Sequence, residues 1–558
     1  MPTPTEIWRY QGGGSWSTDF IYGASVAKDG SVFLAGSSSG NWNALPEGGD
    51  DFSAAKLDGN GNFEWAWQEG SEGDDRMRAA SAVLDGGVVV VGDFNGTWNG
   101  VISEGGEDFA AVKLDSEGAV KWRWQTGTIW DENLQACVET TDGNVVVAGQ
   151  SQGFVDGTAS VGYNDIVAVK LNVTNGEEVW TYQAGKLDTG GTYAYAAAAR
   201  KDGSVVLAGR TFGPFHKPLS TMDGYSDFAA VAIDENGTEL WRWQDGPVSG
   251  TNVFSACTAL DDGSVILGGY SGGDWDGINK GGYDFAAVKL DASGEEEWRW
   301  QDGTALEDVW AGAATTIDGS IVLAGYTYGN WAGTEDIRLD EERDFAAMSM
   351  DGERLQLWSY QDGTDDEDDI NAVAIGHDGS IVLAGWTDGT WTVSGDKDSW
   401  IDYAVISIDG STLTTPSPEA INHFTDTPSA PSSPPTVPTP VPQSSRETAP
   451  EKTSEPFSFT PSPTNNVNPT PSSGPRSIEA ANSSSSSRSS AFIIGGTAAG
   501  AVVLLILGLL AYGRSRRNSN VGRKASNRMG PPQMPFAVGA DGSIPPPPSY
   551  GQVMSLYQ

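Results

Sequence analysis

The sequence holds only two cysteines in 558 residues, Cys137 and Cys257, and only three histidines. Two cysteines build no disulfide framework and supply too few thiolates for a Cys-based metal site. Each lies five residues before the Asp of an Asp-Gly turn, where the matching positions elsewhere carry Ala24, Ala80, Ala197, Ala313 and Val373, so both read as small buried side chains. Basic residues are scarce as well, 32 against 75 acidic ones, for a formal net charge of −43. The imbalance sits in residues 1–413, which hold 68 acids and 22 bases. Such a surface repels phosphate backbones and anionic headgroups, so no nucleic-acid partner is expected. It suits a secreted or surface setting, cationic ligands, or simple solubility.

Tryptophan is abundant by contrast, and all 21 copies precede residue 414. The element Trp-x-(Trp/Tyr)-Gln occurs seven times, ending at Gln11, Gln68, Gln125, Gln183, Gln244, Gln301 and Gln361, in steps of 57, 57, 58, 61, 57 and 60 residues. Between these copies runs an Asp-Gly turn followed by an apolar stretch, as in Asp318–Gly325, and then a stretch such as Asp284-Phe-Ala-Ala-Val-Lys-Leu290. A turn leading into β-branched residues reads as a hairpin entering a strand buried on both faces. Each unit therefore predicts four strands: A, rich in small residues; B, the Val/Ile/Leu run; C, the Asp-Phe-Ala-Ala run; and D, the Trp strand. The recurring Gln of D is expected to bond backbone.

Seven four-stranded units predict an all-β fold, a seven-bladed β-propeller. Trp8–Gln11 has no C strand before it, and Asp402–Asp409 has no Trp strand after it. Residues 6–11 should therefore supply the outer strand of the seventh blade and close the ring. The A–B and C–D spacings are nearly constant, whereas the final Gly of B to the next C-strand Asp runs 15, 16, 16, 18, 15, 19 and 17 residues. Variation thus gathers on the face carrying the B–C and D–A loops, where binding residues are expected.

Candidates on that face are the Gly-x-Trp copies Trp42, Trp98, Trp275, Trp331 and Trp391, read either as packing or as platforms for sugar stacking. Blades three and four depart from this pattern with Phe154 and with Phe212–His216, which makes His216 and Lys217 candidates too. The acidic runs Glu335–Arg343 and Asp365–Asp369 read as Ca²⁺ ligands or as a solvated rim. Asp58-Gly-Asn60-Gly-Asn62 alternates oxygens but lacks the closing acid of a Ca²⁺ loop, and no cofactor is called for.

With Trp-x-x-Gln, an Asp-Gly-Asn/Ser turn, a Gly-containing B strand and the Asp-(Phe/Ala)-x-x-Lys-Leu strand, the unit resembles the SBBP-type β-propeller repeat of bacterial surface and secreted proteins. The resemblance covers residues 6–413 and implies a propeller without catalytic residues. The Leu-Asp-x-x-Gly-x-x-x-Trp run is also similar to the tryptophan-docking repeat of quinoprotein dehydrogenases, which have eight blades and often a vicinal Cys pair. The plan of propeller, stalk and helix resembles integrin alpha chains, but their Phe-Gly-Gly-Ala-Pro motif is missing.

Residues 414–490 are rich in Pro, Ser and Thr and predict an extended stalk reaching up to about 240 Å. Ala491–Tyr512 is free of charge and long enough to span a bilayer as a helix. Arg514, Arg516, Arg517, Arg523, Lys524 and Arg528 follow it, placing the basic, Pro-rich tail 513–558 in the cytoplasm and the propeller outside. Gly496 and Gly500 have the spacing of closely packed helices, hence a possible homodimer. The first residues show no secretory signal, so a start further upstream is expected. Sequons at Asn95, Asn172, Asn236 and Asn482 fit export. In the tail, Pro547, Pro548 and Tyr550 match a WW-domain ligand.

Three functions remain open. The first is a single-pass cell-surface protein whose propeller binds an extracellular protein or glycan. The second is a membrane-tethered lyase, hydrolase or quinoprotein-like enzyme, and the third a structural spacer. Scarce histidine favours the non-enzymatic readings, since catalysis requires a tuned acid or base.

Overall fold

The computed structural model describes residues 3–410 apart from 15–16, 43, 154, 156–162, 186–189, 220–223, 332–341 and 392–400. The stalk, the apolar segment with Gly496 and Gly500, Asn482, the motif Pro547, Pro548 and Tyr550, and Phe154 lie outside the described residues. No helix among the described residues is long and apolar enough to cross a membrane.

Seven four-stranded antiparallel sheets follow one another along the chain. Blade one is typical: Asp19–Val26 innermost, then Val32–Ser38, Asp51–Leu57 and, outermost, Phe63–Glu69. Blade seven takes Asp368–Ile375, Ser380–Thr387 and Asp402–Asp409 from the end of the repeat region and its outer strand, Thr5–Gly12, from the beginning. Trp8 stands opposite Ser407 and Gln11 opposite Ala404. The chain is thus a seven-bladed propeller whose ring is closed by its N-terminal strand, as the unpaired motif copies predicted.

Local chemistry shapes each blade. At the A–B turn of blade six, Asp318 Oδ1 accepts the Ser320 N–H at 3.1 Å, and Thr316 N–H donates to Ser320 O at 2.8 Å. Gly319 sits between them at φ +85°, a conformation glycine adopts without a Cβ penalty. The second and third strands of blade two, Val88–Phe94 and Asp108–Leu114, are buried along their whole length. A sheet with both faces covered needs no polar alternation, which is why these strands read as unbroken apolar runs.

No single core holds the ring together. Seven apolar clusters form, each joining two neighbouring blades. One packs Phe33, Phe52 and Trp67 of blade one on Met77, Val90 and Trp98 of blade two. Another closes the circle by packing Ile21, Leu34 and Leu57 of blade one on Val382, Tyr403 and Val405 of blade seven. A blade therefore buries its faces only between neighbours.

At the edge of these clusters the first Trp of an outer strand acts as a staple in six blades. Trp65 Nε1 donates to Ser116 O of the next blade at 2.9 Å, Trp122 to Val173 O at 2.9 Å, and Trp241 to Ala292 O at 3.1 Å. Trp8 donates to Gly59 O at 3.1 Å, so the closing strand also ties blade seven to blade one. Third-strand lysines reach the same carbonyls, Lys113 bonding Val173 O at 3.1 Å. Blade four has Ala232 at the lysine position, and there Arg200, 2% exposed, reaches Ala292 O at 2.8 Å from just after the inner strand instead.

Candidate functional site

Every inner strand carries a β-bulge in the same place. Its partner register skips between Ile21 and Gly23, Met77 and Ala79, Leu134 and Ala136, Ala194 and Ala196, Phe254 and Ala256, Trp310 and Gly312, and Ile370 and Ala372. The skipped residues are Tyr22, Arg78, Gln135, Tyr195, Ser255, Ala311 and Asn371. A bulge kinks its strand and re-aims the extra side chain. All seven line one cavity on the propeller axis, of about 380 Å³. They comprise six residue types at seven equivalent positions, in a chain whose strands otherwise repeat closely. An apparently sevenfold scaffold thereby receives an asymmetric cup.

Below the cup the axis is walled by small side chains, among them Ala80, Ala197, Cys137 and Cys257. Both cysteines are free, and burial pushes their thiols up. Close approach at the axis demands small residues: a Cβ on Gly23 would lie 2.6 Å from Ala79 Cα.

The cup opens toward the variable loops. Its upper wall comes from Val253 and Val309 at the starts of inner strands and from Arg210 and Tyr270 at the ends of second strands. Arg78 is tied to the buried Asp93, Nε to Oδ1 at 2.5 Å, with its guanidinium 6.0 Å from the Tyr22 ring. Asn371 donates to Ile21 O across the blade seven–blade one seam at 2.8 Å, and Ser255 Oγ donates to Trp310 O. Burial pushes the Tyr195 hydroxyl up to about 12, against the lowering effect of Arg210, and raises Tyr22 and Tyr270 as well. The cup therefore offers neutral phenols, the amide of Gln135, and guanidinium charge.

No protein-family profile matches the sequence, and no curated protein matches it either. Solved propellers are similar in shape. Hydrazine synthase from Kuenenia stuttgartiensis has 10% identity and a TM-score of 0.42, covering 65% of this chain and 92% of its own. The Pan2 WD40 domain of Neurospora crassa has 11% identity and a TM-score of 0.41, covering 73% and 96%. BamB from Moraxella catarrhalis has 11% identity and a TM-score of 0.34, covering 72% and 99%. Likeness at this level carries no chemistry to the present chain.

The residues singled out in the sequence fall mainly at the rim. Each Gly-x-Trp ring is wedged edge-on or tilted against the third-strand aromatic of the preceding blade: Trp98 on Phe52 at 5.1 Å, Trp275 on Phe228 at 4.5 Å, Trp331 on Phe285 at 5.0 Å, Trp391 on Phe345 at 4.5 Å and Trp42 on Tyr403 at 4.6 Å. Trp98 is 2% exposed and Trp275 8%, so a sugar stacking there would first have to displace a neighbouring blade. In blade four Phe215 occupies the wedge, beneath the Arg242 guanidinium. His216 is exposed, and its N–H, with those of Phe215 and Lys217, converges on Gln244 Oε1. Lys217 Nζ pairs with Asp245 Oδ1 at 2.5 Å on the outermost strand. His216 and Lys217 thus belong to the blade's edge, not to the cup.

The outer-strand Gln bonds backbone as expected. Gln301 Nε2 donates to Gly273 O at 2.9 Å and Asp284 Oδ2 at 3.1 Å, while its Oε1 accepts Trp275 N–H at 2.8 Å. This clamp holds the variable loop to the blade and recurs at Gln11, Gln68, Gln183, Gln244 and Gln361. Gln125 departs from it, both amide atoms being buried without a partner. In blade two the carbonyl it would meet, Gly96 O, accepts Ser103 N–H at 2.8 Å within a small hairpin that pairs Thr97–Trp98 with Val101–Ile102.

Asn95 and Asn236 are exposed, and Asn172 uses its Oδ1 to accept Thr174 N–H at 2.9 Å. Asp58 caps its own turn, accepting the Asn60 and Asn62 N–H groups at 2.9 and 2.8 Å. Among the described residues no group of three or more His, Cys, Asp or Glu side chains converges as a metal site.

Loop lengths alone do not point to the cup. The signal was present in composition: one A-strand position runs Tyr, Arg, Gln, Tyr, Ser, Ala, Asn, while the residue after it is always Gly or Ala.

Proposed function

We propose that this chain is a ligand-binding propeller held on the outer side of a membrane, with the axial cup as its ligand site. The observation that carries the reading is the ring of seven bulges, which presents six residue types to one cavity. A structural spacer needs no such asymmetry. The cavity lining contains tyrosines, arginines, amides, a serine and small apolar residues, with no histidine, cysteine or carboxylate among the described residues. That supports recognition over acid–base chemistry, which calls for a group titrating near neutrality.

The apolar segment 491–512 and the arginines after it support a single span with a cytoplasmic tail, and the tail's Pro-Pro-x-Tyr motif supports a WW-domain partner there. The SBBP-type repeat pattern fits a surface protein equally well. The test has two arms. Intact cells treated with glycosidase should lose mass from the sequons at Asn95 or Asn236, and external protease should digest the propeller; protection of the propeller refutes the topology. A glycan and secretome screen with the full chain should return ligands whose binding is lost on Tyr195→Ala but kept on Trp98→Phe. Ligands insensitive to every cup substitution refute the site.

A further inference from the structure

Arg210 is the penultimate residue of the second strand of blade four and forms part of the cup wall. Every other arginine among the described residues has a carboxylate oxygen within 4.0 Å, and Arg210 has none. Its Nε is buried without a hydrogen-bond partner. The guanidinium is held instead by rings, 5.1 Å from Tyr193, 5.6 Å from Tyr195 and 4.9 Å from Phe212. Cation–π contact fixes the charge in place without neutralising it. In a chain with 75 acidic residues, a cation left without an acid is a strong departure from its surroundings.

Arg78, the other charge of the cup, is already compensated by Asp93. Arg210 is therefore the cup's free positive charge, with the neutral hydroxyls of Tyr195 and Tyr270 beside it. A guanidinium presents its N–H groups as a planar fork that matches a carboxylate. The acidic exterior repels anions in general, so an anion held here must be held by this local arrangement. A volume of about 380 Å³ is that of a small-molecule pocket and excludes a folded macromolecule.

We propose that the cup takes a small organic anion, its carboxylate seated on the Arg210 guanidinium and its body lying between Tyr195, Tyr270 and the apolar wall of Val253 and Val309. The proposal rests on reading the cup as the ligand site and adds the chemistry of what enters it.

The experiment is saturation-transfer NMR on the full chain in detergent with two matched pairs of probes, benzoate with benzamide and glucuronate with methyl glucoside. At least one acid is expected to bind about ten-fold more tightly than its neutral partner, the scale of a charge-assisted contact. Arg210→Gln removes the preference and leaves binding of the neutral partner unchanged. Arg210→Lys, which keeps the charge but loses the fork, retains part of it and serves if the glutamine variant does not fold. Arg242→Gln, altering an arginine paired with Glu239 on an outer strand, leaves the preference intact. Equal binding of acid and neutral probe, or a preference that survives Arg210→Gln, overturns the anion assignment while the cup remains the site. Failure of all four probes to bind at about 10 mM overturns both readings.

Discussion

The sharpest test of how the blades are held uses two glutamines with the same flanking motif. Gln68 and Gln125 both follow Trp-x-Trp on an outer strand, yet only Gln68 is clamped. Its Nε2 donates to Gly40 O at 2.8 Å and Asp51 Oδ2 at 3.2 Å, and its Oε1 accepts Trp42 N–H at 3.0 Å. Gln68→Leu keeps the volume and removes one bond from each of the three partners. Asp51 retains the Glu47 N–H, whereas Gly40 O and Trp42 N–H lose this bond. At about 1–3 kcal/mol per buried group left unsatisfied, less about 1 kcal/mol for the added apolar burial, the substitution should destabilise by about 3 kcal/mol. Gln125→Leu replaces an amide already buried without partners, so its cost should be about zero or slightly negative. Urea unfolding followed by tryptophan fluorescence measures both from the shift in midpoint. Equal destabilisation by the two variants would refute the clamp and leave the glutamine as a packing residue only.

Three further outcomes follow from the same geometry. Gly294 and Gly319 share φ +85°, but a Cβ on Gly294 would lie 2.6 Å from the Trp241 indole while one on Gly319 meets nothing within 4 Å. Gly319→Ala should cost about 1 kcal/mol in thermal unfolding and Gly294→Ala at least about 1 kcal/mol more, and equal costs would contradict the staple. Burial pushes Asp19, Asp75, Asp308 and Asp368 up to about 6 from the ordinary 3.8. Between those values the folded state binds more protons than the unfolded, so stability falls as pH rises through this window, and melting temperature should increase from pH 7.5 to 5. Below about pH 4 the trend reverses as turn carboxylates held low by neighbouring hydroxyls, such as Asp262 beside Ser264, protonate. The acid-side gain should persist in 0.5 M salt, about a 4 Å screening length, because the four carboxyls are buried; its disappearance would assign it to surface repulsion. Finally, deleting Thr5–Gly12 removes the outer strand of blade seven and the Trp8 staple together, so circular dichroism and limited proteolysis should show loss of the whole ring's cooperative unfolding, not a local opening.

Much of this architecture is a local property of the chain. Turn chemistry at Asp318-Gly319, the continuous apolar runs of second and third strands, and the Trp-x-Trp-Gln element are each written within a few residues. Their repetition set the blade count and the closing strand. Constant and variable spacings likewise told the two faces apart, and the cup does open on the variable one. Loop position pointed to His216 and Lys217, whose backbone N–H groups Gln244 accepts, and to the Gly-x-Trp rings, which wedge between blades, and none of these lines the cup.

What the sequence by itself determined, then, is the scaffold, because hydrogen-bonded turns and strand periodicity depend on near neighbours. Only tertiary structure decided the cup. Tyr22, Arg78, Gln135 and Tyr195 come from successive blades, and nothing in their own segments states that they meet. A single-residue bulge turns each toward the axis, a displacement that strand alternation does not encode. The free charge of Arg210 is decided at the same level, since an arginine is unpaired only relative to every carboxylate that the fold places around it.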